Sequence, residues 1–282
     1  MSSQPYSITL PPEAVLEAAP VTPAIELRAN AGTLAWDGSS LLVADDYSGA
    51  ILRVDGTQQR RIATLPAGGV IATTRFGGIA ATPYGTLFVS RIGHGQSGAV
   101  FRVERDGHTE ALDKLPPRFW RGGLAYDVRS HSLYATQYMR SRSGAFDGSI
   151  VEIDLVTGEP LVIDDGFLHP LGLVRLDRSL VVTDARQRAV FRVDVLATGL
   201  ARRVLIASDL DQPEAVCACG EDSVLVTTYD AATGRGSVRR IWLDGDSYLV
   251  ARGAWEPRGI ATDGDHAFVS VRRGGRVLVL PL

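Results

Sequence analysis

The sequence predicts an all-β fold, a six-bladed β-propeller with four-stranded blades. Two observations support this prediction. A motif of the form x-Gly-[Ile/Leu]-Ala, exact in some copies and relaxed in others, opens six segments, and each continues with an apolar strand and then a strand of the type AVFRVD. The segments recur at steps of 45, 45, 49, 43 and 44 residues, and a four-stranded repeat of this length is typical of propellers with about four to eight blades. The equivalent positions are Thr33, Gly78, Gly123, Gly172, Ala215 and Gly259.

The segment from His169 to Gly199 shows the repeat most clearly. It predicts short strands at 172–175, 180–183 and 189–193, and a fourth follows at 203–206. Each strand is β-branched or alternates apolar with polar residues, which is the period of a pleated strand. One such unit leaves apolar faces uncovered, so the copies must stack against one another.

The two ends of the chain are predicted to meet in one blade. The sixth repeat ends at Leu282 after only three strands, and residues 24–28 (AIELR) read as a strand upstream of the first repeat. We expect this segment to supply the missing strand, because closure removes an exposed sheet edge. The predicted division is a proline-rich leader at 1–23, packed on the propeller, and the propeller itself at 24–282.

Composition and charge narrow the class of protein. The chain of 282 residues is 45% hydrophobic and has 30 glycines and a net charge of −3, which favours neither nucleic acid nor an anionic membrane as a partner. No segment resembles a signal peptide or approaches about 18 uninterrupted apolar residues, so we expect a soluble, cytoplasmic protein. The preference for arginine over lysine is typical of a GC-rich bacterial genome. Cys217 and Cys219 are expected to act as small apolar residues.

Strand direction sorts the loops onto two faces. The face where the inner strands begin, called the top face below, also carries the loops between second and third strands, and several of these loops are long. Long loops on a rigid scaffold are where function usually lies. His94 and His169 fall on the top face, whereas the other histidines fall on the opposite face. Ser90 and Ser270 end second strands but lack a nucleophile-elbow motif.

The segments HPLGLVRLDRSLVVTDARQRAVFRVD and EPRGIATDGDHAFVSVRRGGRVLVL, starting at His169 and Glu256, resemble the SMP-30/gluconolactonase superfamily and its NHL and strictosidine-synthase-like relatives. The resemblance implies a six-bladed propeller. It also implies a divalent metal held in the central channel by Asp or Asn side chains just before the inner-strand glycines, together with a Glu of the first blade. That metal polarises a lactone or sugar-acid substrate.

This chain departs from that metal-binding pattern. The corresponding positions are Gly32, Gly77, Gly122, Leu171, Glu214 and Arg258. One carboxylate is too few for Ca²⁺, which takes six to eight oxygen ligands, and an arginine repels cations. We therefore predict that the metal site of the family is dismantled and that no cofactor is required.

The same positions suggest a site for a small molecule. The glycines at 32, 77 and 122 are expected to leave the channel roomy, with Glu214 and Arg258 facing each other on adjacent blades. Glu214 is the candidate general acid or base, assisted by His94 or His169, and Arg258 would orient an anionic group. Further candidate substrate-binding residues are Phe76, Arg91, Trp120, Tyr138, Tyr229 and Trp255. Alternatively, the aromatic residues pack between blades, the arginines pair with neighbouring aspartates, and Glu214 with Arg258 plugs the channel.

Three functions remain open from the sequence. The first is a metal-independent enzyme that acts on a small organic molecule by hydrolysis, elimination or cyclisation, for example in bacterial secondary metabolism. The second is a non-catalytic propeller that binds a small ligand or a protein partner. The third is a metal-dependent lactonase of the SMP-30 type. Fold alone cannot choose among them, because one scaffold hosts many functions, and the oligomeric state is left open as well.

Overall fold

The computed structural model describes residues 23–27, 29–66, 75–93, 97–141, 143–196, 201–272 and 275–282. Their regular secondary structure consists of 24 β-strands in six antiparallel sheets of four, and the innermost strands of neighbouring sheets contact one another around a ring. The predicted six-bladed β-propeller is therefore confirmed. Among these residues, no helix has the length and apolar character needed to cross a membrane.

Each blade begins with a strand beside the central channel and ends with a strand at the outer rim. Blades 1 to 3 contain β2 (Ala31–Trp36), β3 (Leu41–Asp45), β4 (Ala50–Asp55), β5 (Gln58–Thr64); β6 (Phe76–Ala81), β7 (Leu87–Arg91), β8 (Ala99–Val103), β9 (Thr109–Ala111); and β10 (Trp120–Asp127), β11 (Ser132–Arg140), β12 (Phe146–Asp154), β13 (Pro160–Phe167). Blades 4 to 6 contain β14 (Pro170–Leu176), β15 (Ser179–Asp184), β16 (Ala189–Val195), β17 (Ala201–Ala207); β18 (Val216–Ala218), β19 (Ser223–Asp230), β20 (Arg235–Trp242), β21 (Ser247–Gly253); and β22 (Pro257–Thr262), β23 (His266–Val271), β24 (Arg276–Pro281), with β1 (Pro23–Glu26) from the other end of the chain.

The ring closes in blade 6, where β1 pairs antiparallel with β24. The backbone N–H of Leu27 extends this pairing, because it donates to the carbonyl of Gly275 at 2.6 Å. The predicted closing strand is confirmed, although it runs from Pro23 to Glu26, so Pro23 belongs to the propeller and not to the leader. Residues 1–22 and Arg28 lie outside the described residues, and the predicted packing of the leader stays a prediction.

The hydrophobic core lies between adjacent blades. Leu42 and Ile51 of blade 1 pack with Ile79 and Val89 of blade 2 in one cluster, for example, and comparable clusters fill the other junctions. The second strands are buried on both faces, whereas the outer strands are mostly exposed to solvent. Apolar burial of this kind is the main favourable term in folding.

Buried hydroxyl groups link neighbouring blades beside the channel. Five repeats carry Ser or Thr at one position of the second strand: Ser90, Thr136, Thr183, Thr227 and Ser270. All five are completely buried. Four of them donate to a carbonyl at the start of the next inner strand: Ser90 to Gly122 (2.5 Å), Thr136 to Leu171 (2.9 Å), Thr183 to Glu214 (2.7 Å) and Ser270 to Gly32 (2.5 Å). Blade 1 has Ala44 there, and Thr227 bonds within its own blade to Ala215.

These links explain both the serines and the recurring glycines of the sequence. The hydroxyls of Ser90 and Ser270 are occupied in blade-to-blade hydrogen bonds, so they are structural donors. At Gly122, an added Cβ would lie 2.5 Å from both the Leu171 carbonyl oxygen and the Thr136 hydroxyl. Glycine is therefore required there because the inner strands approach one another so closely.

The link from blade 4 to blade 5 is open to a direct test. Thr183 also accepts a hydrogen bond from Gly172 N at 2.8 Å, so Thr183→Val leaves a buried N–H and a buried carbonyl without their partner. We expect the free energy of unfolding to fall by about 1–3 kcal/mol, measured by urea denaturation. Thr64→Val, at an exposed outer-strand position, is the control. Equal stability of both variants would contradict the proposed role of the hydroxyl.

Candidate functional site

The central channel is narrow. Its lining at the top end includes Gly32, Phe76, Gly122, Leu171, Glu214 and Arg258, and the centres of water molecules can occupy about 60 Å³ of it. This is room for a few waters and too little for an organic molecule. The expectation that glycines leave the channel roomy is wrong, because the neighbouring backbone fills the space beside Gly77 and Gly122. A substrate would therefore sit at the channel mouth and not inside the channel.

Glu214 holds two arginines at this mouth. Its Oε1 accepts from Arg258 Nη1 at 2.9 Å and from Arg75 Nη2 at 2.6 Å. The expected pair of Glu214 and Arg258 is thus present, and Arg75 joins it from the start of blade 2, across the channel from blade 5. The backbone of Glu214 is fixed on both sides, since its N–H donates to Thr227 and its carbonyl accepts from Thr183.

A second carboxylate, Asp46, lies at the same mouth. It follows β3 directly, and its side chain occupies the space that a Cβ at Gly32 would need. Its Oδ1 accepts from Phe76 N at 2.9 Å, and its Oδ2 lies 3.9 Å from Arg258 Nη2. Burial raises the pKa of Asp46 to about 6, against the smaller lowering effects of the Phe76 N–H and the Arg258 charge. Asp46 therefore exchanges its proton close to neutral pH.

Aromatic side chains of blades 3 and 4 form one wall beside these charges. The rings of Tyr138 and His169 meet edge to face with centroids 4.4 Å apart, and Trp120 and Phe146 also contact Tyr138. Burial raises the pKa of Tyr138 to about 12, so its hydroxyl stays protonated. Burial lowers the pKa of His169, which leaves its imidazole neutral at pH 7. We call Trp120, Tyr138, Phe146 and His169 the aromatic wall.

The other candidate residues occupy different places. Trp255 packs against Gly236 and Gly253 in blade 5, away from the channel. Arg91 donates to the carbonyls of Pro66 and Ser97 and lies over the Phe101 ring, so it ties top-face loops together.

The remaining two described candidates are Tyr229 and Phe76. Tyr229 is the last residue but one of β19 in blade 5, where its N–H donates to the carbonyl of Asp211. Phe76 lines the channel but is buried in the core between blades 1 and 2. His94 lies outside the described residues, and its predicted role stays a prediction.

From the sequence, Arg75 is one of several top-face arginines that could clamp a carboxylate or phosphate, and Asp46 is one of the aspartates that could neutralise them, but neither is predicted as a catalytic or binding residue. Asp46 follows Asp45, whose carboxylate accepts from the N–H groups of Asn30 and Tyr47 and so caps the turn. Asp46 is the first residue of the turn that follows β3, and this turn directs its carboxylate towards Gly32 and the Phe76 N–H. The available signal was the combination of a second aspartate after the strand with a glycine at position 32.

The residues at the mouth do not fit the divalent cation that the family resemblance implies. The carboxylates are Asp46 and Glu214, and two guanidinium groups stand beside them. No group of three or more His, Cys, Asp or Glu residues suited to hold a metal occurs within the described ranges. A cation here would have too few oxygen ligands and would be repelled by Arg75 and Arg258.

Comparison with solved structures supports the same fold. The chain is similar to a proposed gluconolactonase (TM-score 0.69, 14% identity, 95% of this chain and 92% of that chain). It is also similar to the calcium-binding protein regucalcin from Agrobacterium tumefaciens (0.65, 13%, 90% and 90%) and to virginiamycin B lyase from Staphylococcus aureus (0.59, 15%, 86% and 77%). No protein-family model matches the sequence, and the search of curated proteins found no match. The chain thus has the fold of the SMP-30/gluconolactonase-like propellers.

The raised pKa of Asp46 predicts a pH-dependent stability. Between about pH 4 and 6 the folded state keeps a proton that the unfolded state has lost, since the unfolded pKa is about 3.9. Ionised Asp46 therefore destabilises the fold, and stability is lost as the pH rises through this window. Relative to the wild type, Asp46→Asn should gain about 2–3 kcal/mol between pH 3.5 and 7.5, measured by urea denaturation at several pH values.

The exposed residue Asp113 provides the matched control for this experiment. Asp113→Asn makes the same substitution at a solvent-exposed site and gives the reference for the loss of a carboxylate. A constant difference between Asp46→Asn and the wild type over this pH range would show that burial does not raise the pKa of Asp46.

The donor set predicts that the channel mouth binds no divalent cation tightly. Protein purified without chelators and dialysed against metal-free buffer should contain well below one equivalent of Ca²⁺, Mg²⁺, Mn²⁺ or Zn²⁺ by plasma mass spectrometry. A stoichiometric metal that is lost in Glu214→Gln or Asp46→Asn would overturn this prediction and favour the lactonase alternative.

Proposed function

We propose that the protein is a metal-independent enzyme that performs acid–base chemistry on a small organic molecule at the channel mouth. The observation that carries this proposal is the largely buried carboxylate of Asp46, whose side chain is 14% exposed. Burial brings its pKa to about 6, and a general acid or base works best when its pKa lies near the operating pH. A surface aspartate offers neither this pKa nor the shielding from water.

Each residue at the mouth has a separate role in the proposed reaction. Asp46 takes a proton from the substrate and returns it later. Arg258 and Arg75 stabilise the negative charge that develops on a substrate oxygen, because preorganised donors act strongly where water is excluded. Glu214 holds both guanidinium groups in position, and the half-buried ring of His169 in the aromatic wall supports the apolar part of the substrate. Proton abstraction with charge stabilisation suits an elimination or a cyclisation, and also hydrolysis through an activated water.

The solved structures are consistent with this proposal. One propeller of similar fold is described as a virginiamycin B lyase and another as a luciferin-regenerating enzyme. The fold therefore carries catalysis on small molecules in other proteins. From the sequence alone, the acid–base role is predicted for Glu214. We now assign it to Asp46, since Oε1 of Glu214 is committed to two arginines.

A second candidate is a non-catalytic propeller that binds a ligand or a protein partner. The observation that favours it is the bridge from Arg75 to Glu214, which spans the channel between blades 2 and 5 at 2.6 Å. In this case the charges plug the channel and stabilise the ring. The two candidates differ in turnover, which the following experiment measures.

A substrate screen tests the proposal. The wild type is incubated with a panel of esters, lactones and β-substituted carboxylic acids, and products are detected by mass spectrometry. We expect turnover of at least one class, unchanged by EDTA. Asp46→Asn should lower kcat by about two to four decades, because it removes the proton carrier and keeps the shape, whereas Glu214→Gln should mainly raise KM because it releases the arginines.

The controls separate catalysis from folding. Both variants must unfold cooperatively, and Asp113→Asn should keep the activity of the wild type. Absence of turnover across the whole panel, or full activity of Asp46→Asn, would contradict the proposal and favour the binding propeller.

A further inference from the structure

We propose that Arg75 and Arg258 form a clamp for an organic carboxylate, so that the channel mouth takes small organic acids with an apolar or aromatic body. The description of this acid as the substrate rests on the proposed function. The binding of the acid does not depend on catalysis. We call Arg75 and Arg258 the arginine clamp.

The arginine clamp has more hydrogen-bond donors than the described side chains use. Each guanidinium carries five N–H donors, yet both groups converge on the single oxygen Oε1 of Glu214. Arg75 Nε is buried and has no acceptor among the described residues. Arg258 Nη2 lies 3.9 Å from Asp46 Oδ2, which is too far for a hydrogen bond. The clamp can therefore accept further oxygens without losing Glu214.

The charges at the mouth favour an added anion. Two guanidinium groups face the carboxylates of Glu214 and the largely buried Asp46. Burial lowers the pKa of Arg258, and the nearby charge of Arg75 lowers it by a smaller amount. When Asp46 is protonated, the mouth has one more positive than negative charge. A carboxylate would supply the missing negative charge, and its two oxygens match the planar fork of a guanidinium.

An ordinary surface ion pair of the same chain shows the contrast. Arg188 and Asp211 pair one to one at 3.0 Å, with 52% and 41% of their side chains exposed. Water serves the remaining donors of such a pair, and its contribution to stability is small. The arginine clamp differs because only 9% of the Arg258 side chain is exposed.

Burial also defines the direction from which the acid arrives. The exposed fraction of the side chain falls from 36% for Arg75 to 23% for Glu214 and 9% for Arg258. An anion from the top face therefore meets Arg75 first. The channel below is too narrow for an organic group, so the body of the acid stays at the mouth, where the half-buried ring of His169, which packs on the buried ring of Tyr138, offers an apolar surface. This arrangement favours an aryl or alkyl carboxylate over inorganic phosphate, which has no apolar part.

Isothermal titration calorimetry at pH 5.0 and low salt, where Asp46 is mostly protonated and phenylacetate mostly ionised, tests the proposal with defined probes. Sodium phenylacetate carries the carboxylate, phenylacetamide has the same shape without the charge, and inorganic phosphate has charge without the apolar body. We expect phenylacetate to bind at least about tenfold more tightly than phenylacetamide and more tightly than phosphate. Equal affinity for phenylacetate and phenylacetamide, or no binding of either, would overturn the carboxylate clamp. Phosphate binding as tightly as phenylacetate would overturn the assignment to organic acids.

Variants locate the binding site. Arg75→Gln should weaken phenylacetate about tenfold to a hundredfold and leave phenylacetamide unchanged. Arg258→Lys keeps the charge but loses the fork, and we expect an intermediate loss. Arg202→Gln removes the same charge at the outer rim of blade 4, where Arg202 pairs with Asp194, and it should bind as the wild type does. Thermal unfolding verifies that each variant is folded, and unchanged binding by folded Arg75→Gln and Arg258→Lys would contradict the clamp.

The result of the phenylacetate binding experiment can be distinguished from the result of the substrate screen. If phenylacetate binds in this pattern and no substrate of the panel is turned over, the clamp stands and the enzyme proposal fails. If neutral esters are turned over and phenylacetate neither binds nor competes, the enzyme proposal stands and the clamp fails.

Discussion

The close approach of the six inner strands around the axis is the constraint on which the rest of the structure depends. Glycine makes this approach possible, and buried hydroxyl groups hold it, since an unpaired carbonyl in such a place would be costly. Two of these hydrogen bonds end at the candidate site. Thr183 fixes the carbonyl of Glu214, and Ser270 fixes the carbonyl of Gly32, above which Asp46 lies. The packing that closes the ring also positions the charges at its mouth.

The narrow channel limits the solvation of these charged groups and so changes their pKa values. Because few waters fit below the mouth, Asp46 is poorly solvated and its pKa rises towards neutrality, while Arg258 remains buried beside it. Glu214 keeps the two arginines within one site although they come from blades 2 and 6. A carboxylate that holds a proton near pH 6, beside preorganised cations, is suited to proton transfer at a substrate. The acid–base function that we propose for this mouth thus depends on burial.

The sequence predicts the fold well because its signals are repeated and local. The period, the inner-strand glycines and the missing last strand each indicate a closed six-bladed ring, and Glu214 and Arg258 could be paired because they occupy equivalent positions on adjacent blades. Asp46 and Arg75 could not be assigned in this way, since each lies in a connection where blade-to-blade geometry sets the direction of the side chain. The channel width was wrongly predicted for a related reason, because a glycine can mark close packing as well as open space.

The direct measurement of the Asp46 carboxyl pKa tests the central claim. NMR titration of protein with ¹³C-labelled aspartate carboxyl groups, with the signal assigned by its loss in Asp46→Asn, gives this value in the folded protein. The account predicts a transition at about pH 6. A transition below about pH 4.5, in the range of an ordinary aspartate, would contradict it, because Asp46 would then be a permanent anion that pairs with Arg258 and carries no proton.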